Sequence, residues 1–164
     1  MVHRIETEQY LHQDRRTVWA FVSNPNNLAR ITPQDMGFEI TRGGDQALHA
    51  GQIIEYRIRP VLNIPVNWVT EITHMKEAEF FVDEQRFGPY LFWHHRHWLT
   101  DAGAGTLMKD QVTYKIGFGP VGRLANRIFI RRRLSEIFEY RRKTLEQLFG
   151  PERKFRPEPI KSIS

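Results

Sequence analysis

Residues 91–115 read LFWHHRHWLTDAGAGTLMKDQVTYK, two alternating runs on either side of Asp101-Ala102-Gly103-Ala104-Gly105. The aspartate and the glycines supply a turn, so the stretch predicts a β-hairpin. Successive side chains of a strand point to opposite faces. In the second run Leu107, Lys109, Gln111, Thr113 and Lys115 therefore face water. Met108, Asp110, Val112 and Tyr114 face the other way. In the first run Trp93, His95, His97 and Leu99 form the matching inward set, and Trp98 points outward beside His94 and Arg96.

The same alternation extends upstream. Strands are predicted over 3–13, 36–42, 51–59, 66–74 and 79–87, before the hairpin strands over 91–100 and 106–115. Their inward residues are Ile54, Tyr56 and Ile58, then Trp68, Thr70 and Ile72, then Phe81, Asp83 and Gln85. Between the first two strands lie two short helices. Asp14 suits the N-cap of the first, and Pro25 suits the start of the second, which Pro33 ends. Downstream, nothing breaks a helix from Val121 to Phe149, where Leu124, Leu134, Phe138, Leu145 and Leu148 lie near one stripe. Gly150-Pro151 stops it. Strand, two short helices, six strands and a long helix make an α+β order. The helix is the only element large enough to cover the concave face of such a sheet.

The chain has 164 residues, enough for one domain over 1–149 without covalent staples. Residues 150–164, punctuated by Pro151, Pro157 and Pro159, predict an extended or disordered tail. There are no cysteines, which excludes disulfides and thiolate chemistry. The N-terminus has no apolar signal core, and no run approaches the ~20 apolar residues of a membrane span, so a cytoplasmic location is expected. Much of the net charge of +5 sits in Arg131-Arg132-Arg133 and Arg141-Arg142-Lys143. This reads mainly as a solvated helix face, with membrane-surface contact through the basic helix as a further option. Aromatics do not interleave with the basic residues, so nucleic acid is not expected as a partner. The outward Trp98 would suit a homodimer surface.

Several strings carry a family resemblance. They are Trp19-Ala20-Phe21, Ile31-Thr32-Pro33, Trp68-Val69-Thr70-Glu71-Ile72, Phe81-Val82-Asp83-Glu84-Gln85 with Gly88-Pro89-Tyr90, and Trp93-His94-His95-Arg96-His97. Thr106-Leu107-Met108-Lys109-Asp110 with Tyr114, and Phe138-Glu139-Tyr140-Arg141, complete the set. Together they resemble a bacterial subgroup of ligand-binding SRPBCC proteins, the START and birch-pollen-allergen superfamily that also holds polyketide cyclase/dehydrase-like proteins. The resemblance covers about residues 3–149. It implies a helix-grip fold, with an antiparallel seven-stranded sheet wrapped around a long C-terminal helix and two short helices after strand 1. The superfamily spans lipid carriers, hormone receptors, cyclases and hydrolases, so the fold does not choose a function.

The inward set is largely aromatic and aliphatic, yet it holds Asp83, Gln85, His95, His97 and Asp110. A buried polar group without a partner costs a few kcal/mol, so these must pair with each other, with water or with a ligand. The expected ligand wall is Tyr56, Trp68, Thr70, Phe81, Trp93, Met108, Tyr114 and Phe138. The expected polar contacts are Asp83, Gln85, His95, His97, Asp110 and Arg141. Arg141 shares the apolar face of the helix and is expected to meet Asp83 or Asp110, while Arg127 and Arg131 reach toward the pocket mouth.

His95 and His97 at i, i+2 with Asp110 could hold a metal by two imidazoles and a carboxylate. That spacing recurs by chance on strands, so no metal and no cofactor are expected. The same residues could form an acid–base pair, with His95 or His97 oriented by Asp110 or Asp83. The leading expectation is binding or transport of a small hydrophobic or aromatic molecule in an internal pocket. The alternative is a cyclase, dehydratase or hydrolase using the His–Asp pair there, so the residues leave open whether chemistry occurs.

Overall fold

The computed structural model describes residues 1–60, 64–117, 119, 122, 124, 126–150 and 161–163. The chain begins with β1 (His3–Leu11) and the helix α1 (Arg15–Val22). Asp14 caps α1 as expected: its Oδ1 accepts from the backbone N–H groups of Arg16 and Thr17, both at 3.0 Å. The predicted second helix is a 3₁₀ segment, Pro25–Ile31, with Pro25 at its first turn, and a single 3₁₀ turn follows at Gln34–Met36. Then come β2 (Glu39–Arg42), β3 (Ile53–Ile58), β4 (Val66–Lys76), β5 (Phe80–Phe87), β6 (Phe92–Ala102) and β7 (Gly105–Lys115). A π-type turn, Asn126–Ile130, leads into α2 (Arg131–Phe149).

All strand pairs are antiparallel, in the spatial order β2-β3-β4-β5-β6-β7-β1-β8. The seven predicted strands are present. A short eighth, β8 (Lys161–Ile163), pairs with β1, so part of the expected tail is extended on the sheet edge. Residues 151–160 lie outside the described residues.

The face of α2 against the sheet is Leu134, Phe138, Arg141, Leu145 and Phe149, at successive spacings of three or four. Leu124 and Leu148, assigned to this stripe from sequence, are exposed. Leu148 is three residues past Leu145, but Phe149 takes the core position and stands edge-on to Phe21 at 5.4 Å. Arg131 is exposed, and the side chain of Arg127 lies outside the described residues.

One apolar cluster joins Leu11, Val18, Trp19, Phe81, Leu99 and Leu145. A second joins Ile5, Val112, Tyr114, Leu134 and Phe138. A third gathers Met36, Ile58 and Trp68. Trp19 is ordinary core, edge-on to Phe81 at 5.9 Å. No helix among the described residues is long and apolar enough to cross a membrane.

Candidate functional site

Between the clusters lies a cavity of about 160 Å³, bounded by the concave sheet face, α2 and the first helical segments. Register creates its polar patch. Asp83 on β5 stands opposite His95 on β6, and His97 stands opposite Asp110 on β7. Four chemistry-bearing side chains from three adjacent strands thus share one face, because strand parity puts 83, 95, 97 and 110 on the same side.

The four form a doubly bridged cluster. Asp83 Oδ2 lies 2.9 Å from His97 Nε2 and 3.2 Å from His95 Nδ1. Asp110 Oδ1 lies 2.6 Å from His97 Nδ1 and 3.3 Å from His95 Nε2. The imidazole centroids are 3.8 Å apart. The two ends differ in quality. His97 Nε2 and Asp83 Oδ2 meet in good hydrogen-bond geometry. At the Asp110 end the distances are short but misaligned, and His95 Nε2, His97 Nδ1 and Asp110 Oδ1 make no hydrogen bond.

Burial and charge compete at each group. Burial alone would raise Asp83 and Asp110, but the imidazoles of His95 and His97 hold both carboxyls well below the usual carboxylate range. Burial alone would lower His95, but Asp83 and Asp110 outweigh it and raise its pKa. Across the cavity, burial and the charge of Asp83 keep the Tyr56 phenol protonated, and the Tyr56 hydroxyl lies 3.0 Å from Thr70 Oγ1. The Trp68 indole N–H donates to that same threonine oxygen at 3.0 Å. Asp83, His95 and His97 present ligand-type atoms within 4.8 Å of one another, so displacing the ring protons would leave a cation-holding triad. Asp83, rather than the Asp110 expected from sequence, is its carboxylate.

Eleven of the expected contact residues border the cavity: Tyr56, Trp68, Thr70, Phe81, Asp83, Trp93, His95, His97, Met108, Phe138 and Arg141. Three do not. Asp110 sits behind the histidines. Gln85 clamps the turn between β5 and β6, donating from Nε2 to the Tyr90 carbonyl at 2.6 Å and accepting from the Tyr90 N–H at 3.2 Å. Tyr114 is buried in the second cluster, 5.7 Å from the Tyr90 ring. The expected pairing of Arg141 with Asp83 or Asp110 is also absent among the described residues: both carboxylates are taken up by the histidines.

Sequence reasoning missed Tyr90, which packs edge-on to Trp68 at 5.5 Å and lines the cavity. Strand parity could not reach it, because Gly88-Pro89 puts it in a turn. It also missed Phe21, Leu28 and Ile31 as cavity walls. Their helical periodicity over so few residues carried no face assignment. Outside the cavity Trp98 is half-buried, with the Arg96 guanidinium 4.2 Å from its ring centre.

No family model matches the chain, and no curated protein matches it in sequence. Solved structures do match in fold. A START superfamily protein from Mycobacterium smegmatis superposes with a TM-score of 0.66 at 14% identity, covering 90% of this chain and 97% of that one. Ginseng major latex-like protein 151 from Panax ginseng gives 0.62 at 12% identity, covering 92% and 99%. Ara h 8.0201 gives 0.63 at 15% identity, covering 91% and 98%. The chain has the helix-grip α+β architecture of these proteins, the SRPBCC fold.

Proposed function

We propose that the chain binds or carries a small, largely apolar molecule between its sheet and α2. The cavity supports this reading: its wall is mostly aromatic and aliphatic, with Asp83, His95 and His97 on the sheet and Arg141 on α2 among its polar groups. Such a pocket supplies affinity by removing apolar surface from water, at about 25 cal/mol per Å². The polar patch supplies orientation and selectivity. Native mass spectrometry of the protein purified from its own host tests the idea. The expected result is a bound small molecule at one per chain. A spectrum of bare polypeptide, from protein that also takes up no apolar fluorescent probe, would overturn it.

A second reading is favoured by one observation: His95 and His97 border the cavity with a carboxylate bridging them. That arrangement could hold and move a proton in an enzyme of cyclase, dehydratase or hydrolase type. His95→Gln and His97→Gln separate the readings. A carrier keeps ligand affinity within roughly tenfold, the weight of one hydrogen bond. An enzyme loses turnover by about 10²–10⁴-fold while still binding.

A further inference from the structure

Arg141 has the feature that the pocket reading leaves unexplained. It sits on the sheet-facing side of α2, is only 9% exposed and borders the cavity. Its Nε makes no hydrogen bond. Among the described residues no carboxylate forms an ion pair with it and no oxygen accepts from it. Phe138, one turn away, offers only its ring face, with the guanidinium carbon 5.2 Å from the ring centre. A guanidinium cannot shed its proton, so burial without a counter-ion is costly unless an anion completes the site. The neighbours that could serve, Asp83 and Asp110, are held by His95 and His97.

The geometry points to an acidic ligand: the pocket takes a monocarboxylate on an apolar body, with its carboxylate on the Arg141 guanidinium. The proposal rests on the cavity being a ligand site and adds the chemical class. A planar fork matches a carboxylate in two parallel N–H···O bonds. Among the described residues, Arg141 is the only lysine or arginine bordering the cavity. One fixed cation suits a monoanion, and Asp83 on the opposite wall disfavours a phosphate dianion. Trp68, Tyr56, Trp93 and Phe138 then face the apolar body. The Tyr56 hydroxyl, 3.0 Å from Thr70 Oγ1, belongs to a residue that borders the cavity from the sheet side.

Matched probes test this on the full chain by titration calorimetry: 2-naphthoate against 2-naphthamide, and decanoate against decanamide. At least one acid should bind wild type about tenfold or more tighter than its amide. Arg141→Met, which keeps an apolar stem, should erase that preference by weakening the acid about tenfold or more. Arg141→Lys should retain part of it, and it carries the test if the methionine variant does not fold. Acid and amide binding wild type equally would overturn the carboxylate assignment while the pocket reading stands. A preference that survives in the folded methionine variant would overturn the role of Arg141. No binding by any of the four probes would overturn both readings.

Discussion

Asp110 faces two imidazoles through one oxygen and has no cavity to face, so its work is to hold His95 and His97. Removing one partner of a buried charge group leaves the other uncompensated, which is strongly destabilising. Asp110→Asn should therefore lower unfolding free energy by on the order of 3 kcal/mol in urea melts. A loss below about 0.5 kcal/mol, the scale of an ordinary surface change, would show that the cluster does not hold the sheet together. At this scale the sequence was informative about faces. Parity alone placed Asp83, His95, His97 and Asp110 on one side of the sheet. Depth was not legible: parity does not tell Asp83 at the cavity wall from Asp110 behind it. Nor could it show that Gln85 turns away to clamp Tyr90, because that depends on the path of the Gly88-Pro89 turn. The partner of Arg141 was misjudged for a related reason. Two acids and one arginine on facing elements suggest a pair, but the histidines reached the acids first.

At the scale of elements, α2 decides how the sheet closes. Its buried residues follow 134, 138, 141, 145 and 149, whereas apolar content alone had also offered Leu124 and Leu148. Leu124 precedes the π-type turn Asn126–Ile130 and so lies outside α2, and Leu148 yields the core position to Phe149. The choice of Phe149 follows from long-range packing against Phe21 in the main cluster, which no local period encodes. The assignment can be checked by truncation. Leu145 is 1% exposed and belongs to the main cluster, so Leu145→Ala should cost about 2–5 kcal/mol. Leu148 is 38% exposed, so Leu148→Ala should cost no more than about 1 kcal/mol. Equal losses in thermal or urea melts would mean that the buried face of α2 is not the one described. The strands were easier to read than the helix. Period-two alternation is clear over the eleven residues of β7, and turn residues such as Gly103 mark its start.

On the scale of the whole molecule, surface and interior charges behave differently. The basic clusters of α2 are largely matched by acids: Arg132 by Glu136, Arg133 by Asp35, and Arg142 and Lys143 by Glu139. Exposed pairs of this kind add little to stability and fade with salt. The buried cluster instead sets the pH profile, and its signs can be worked out. Asp83 and Asp110 sit below their ordinary 3.8 when folded, so their contribution is present above that value and is lost as pH falls through the lower folded values. His95 sits above its ordinary 6.5 when folded, so its contribution is full below 6.5 and is lost as pH rises through the higher folded value. Together these groups favour a stability maximum between about pH 4 and pH 6.5 and a decline on the alkaline side. The groups facing His95 are Asp83 from β5, Asp110 from β7 and His97 on its own strand, with Arg141 bordering the same cavity from α2. In urea melts from about pH 5 to pH 9, His95→Gln should be less stable than wild type at the acid end and should lose much of the alkaline decline, so the two curves converge as pH rises. Parallel curves across that range would mean that His95 is not held in its charged form, and the electrostatic account of the cluster would fail with it.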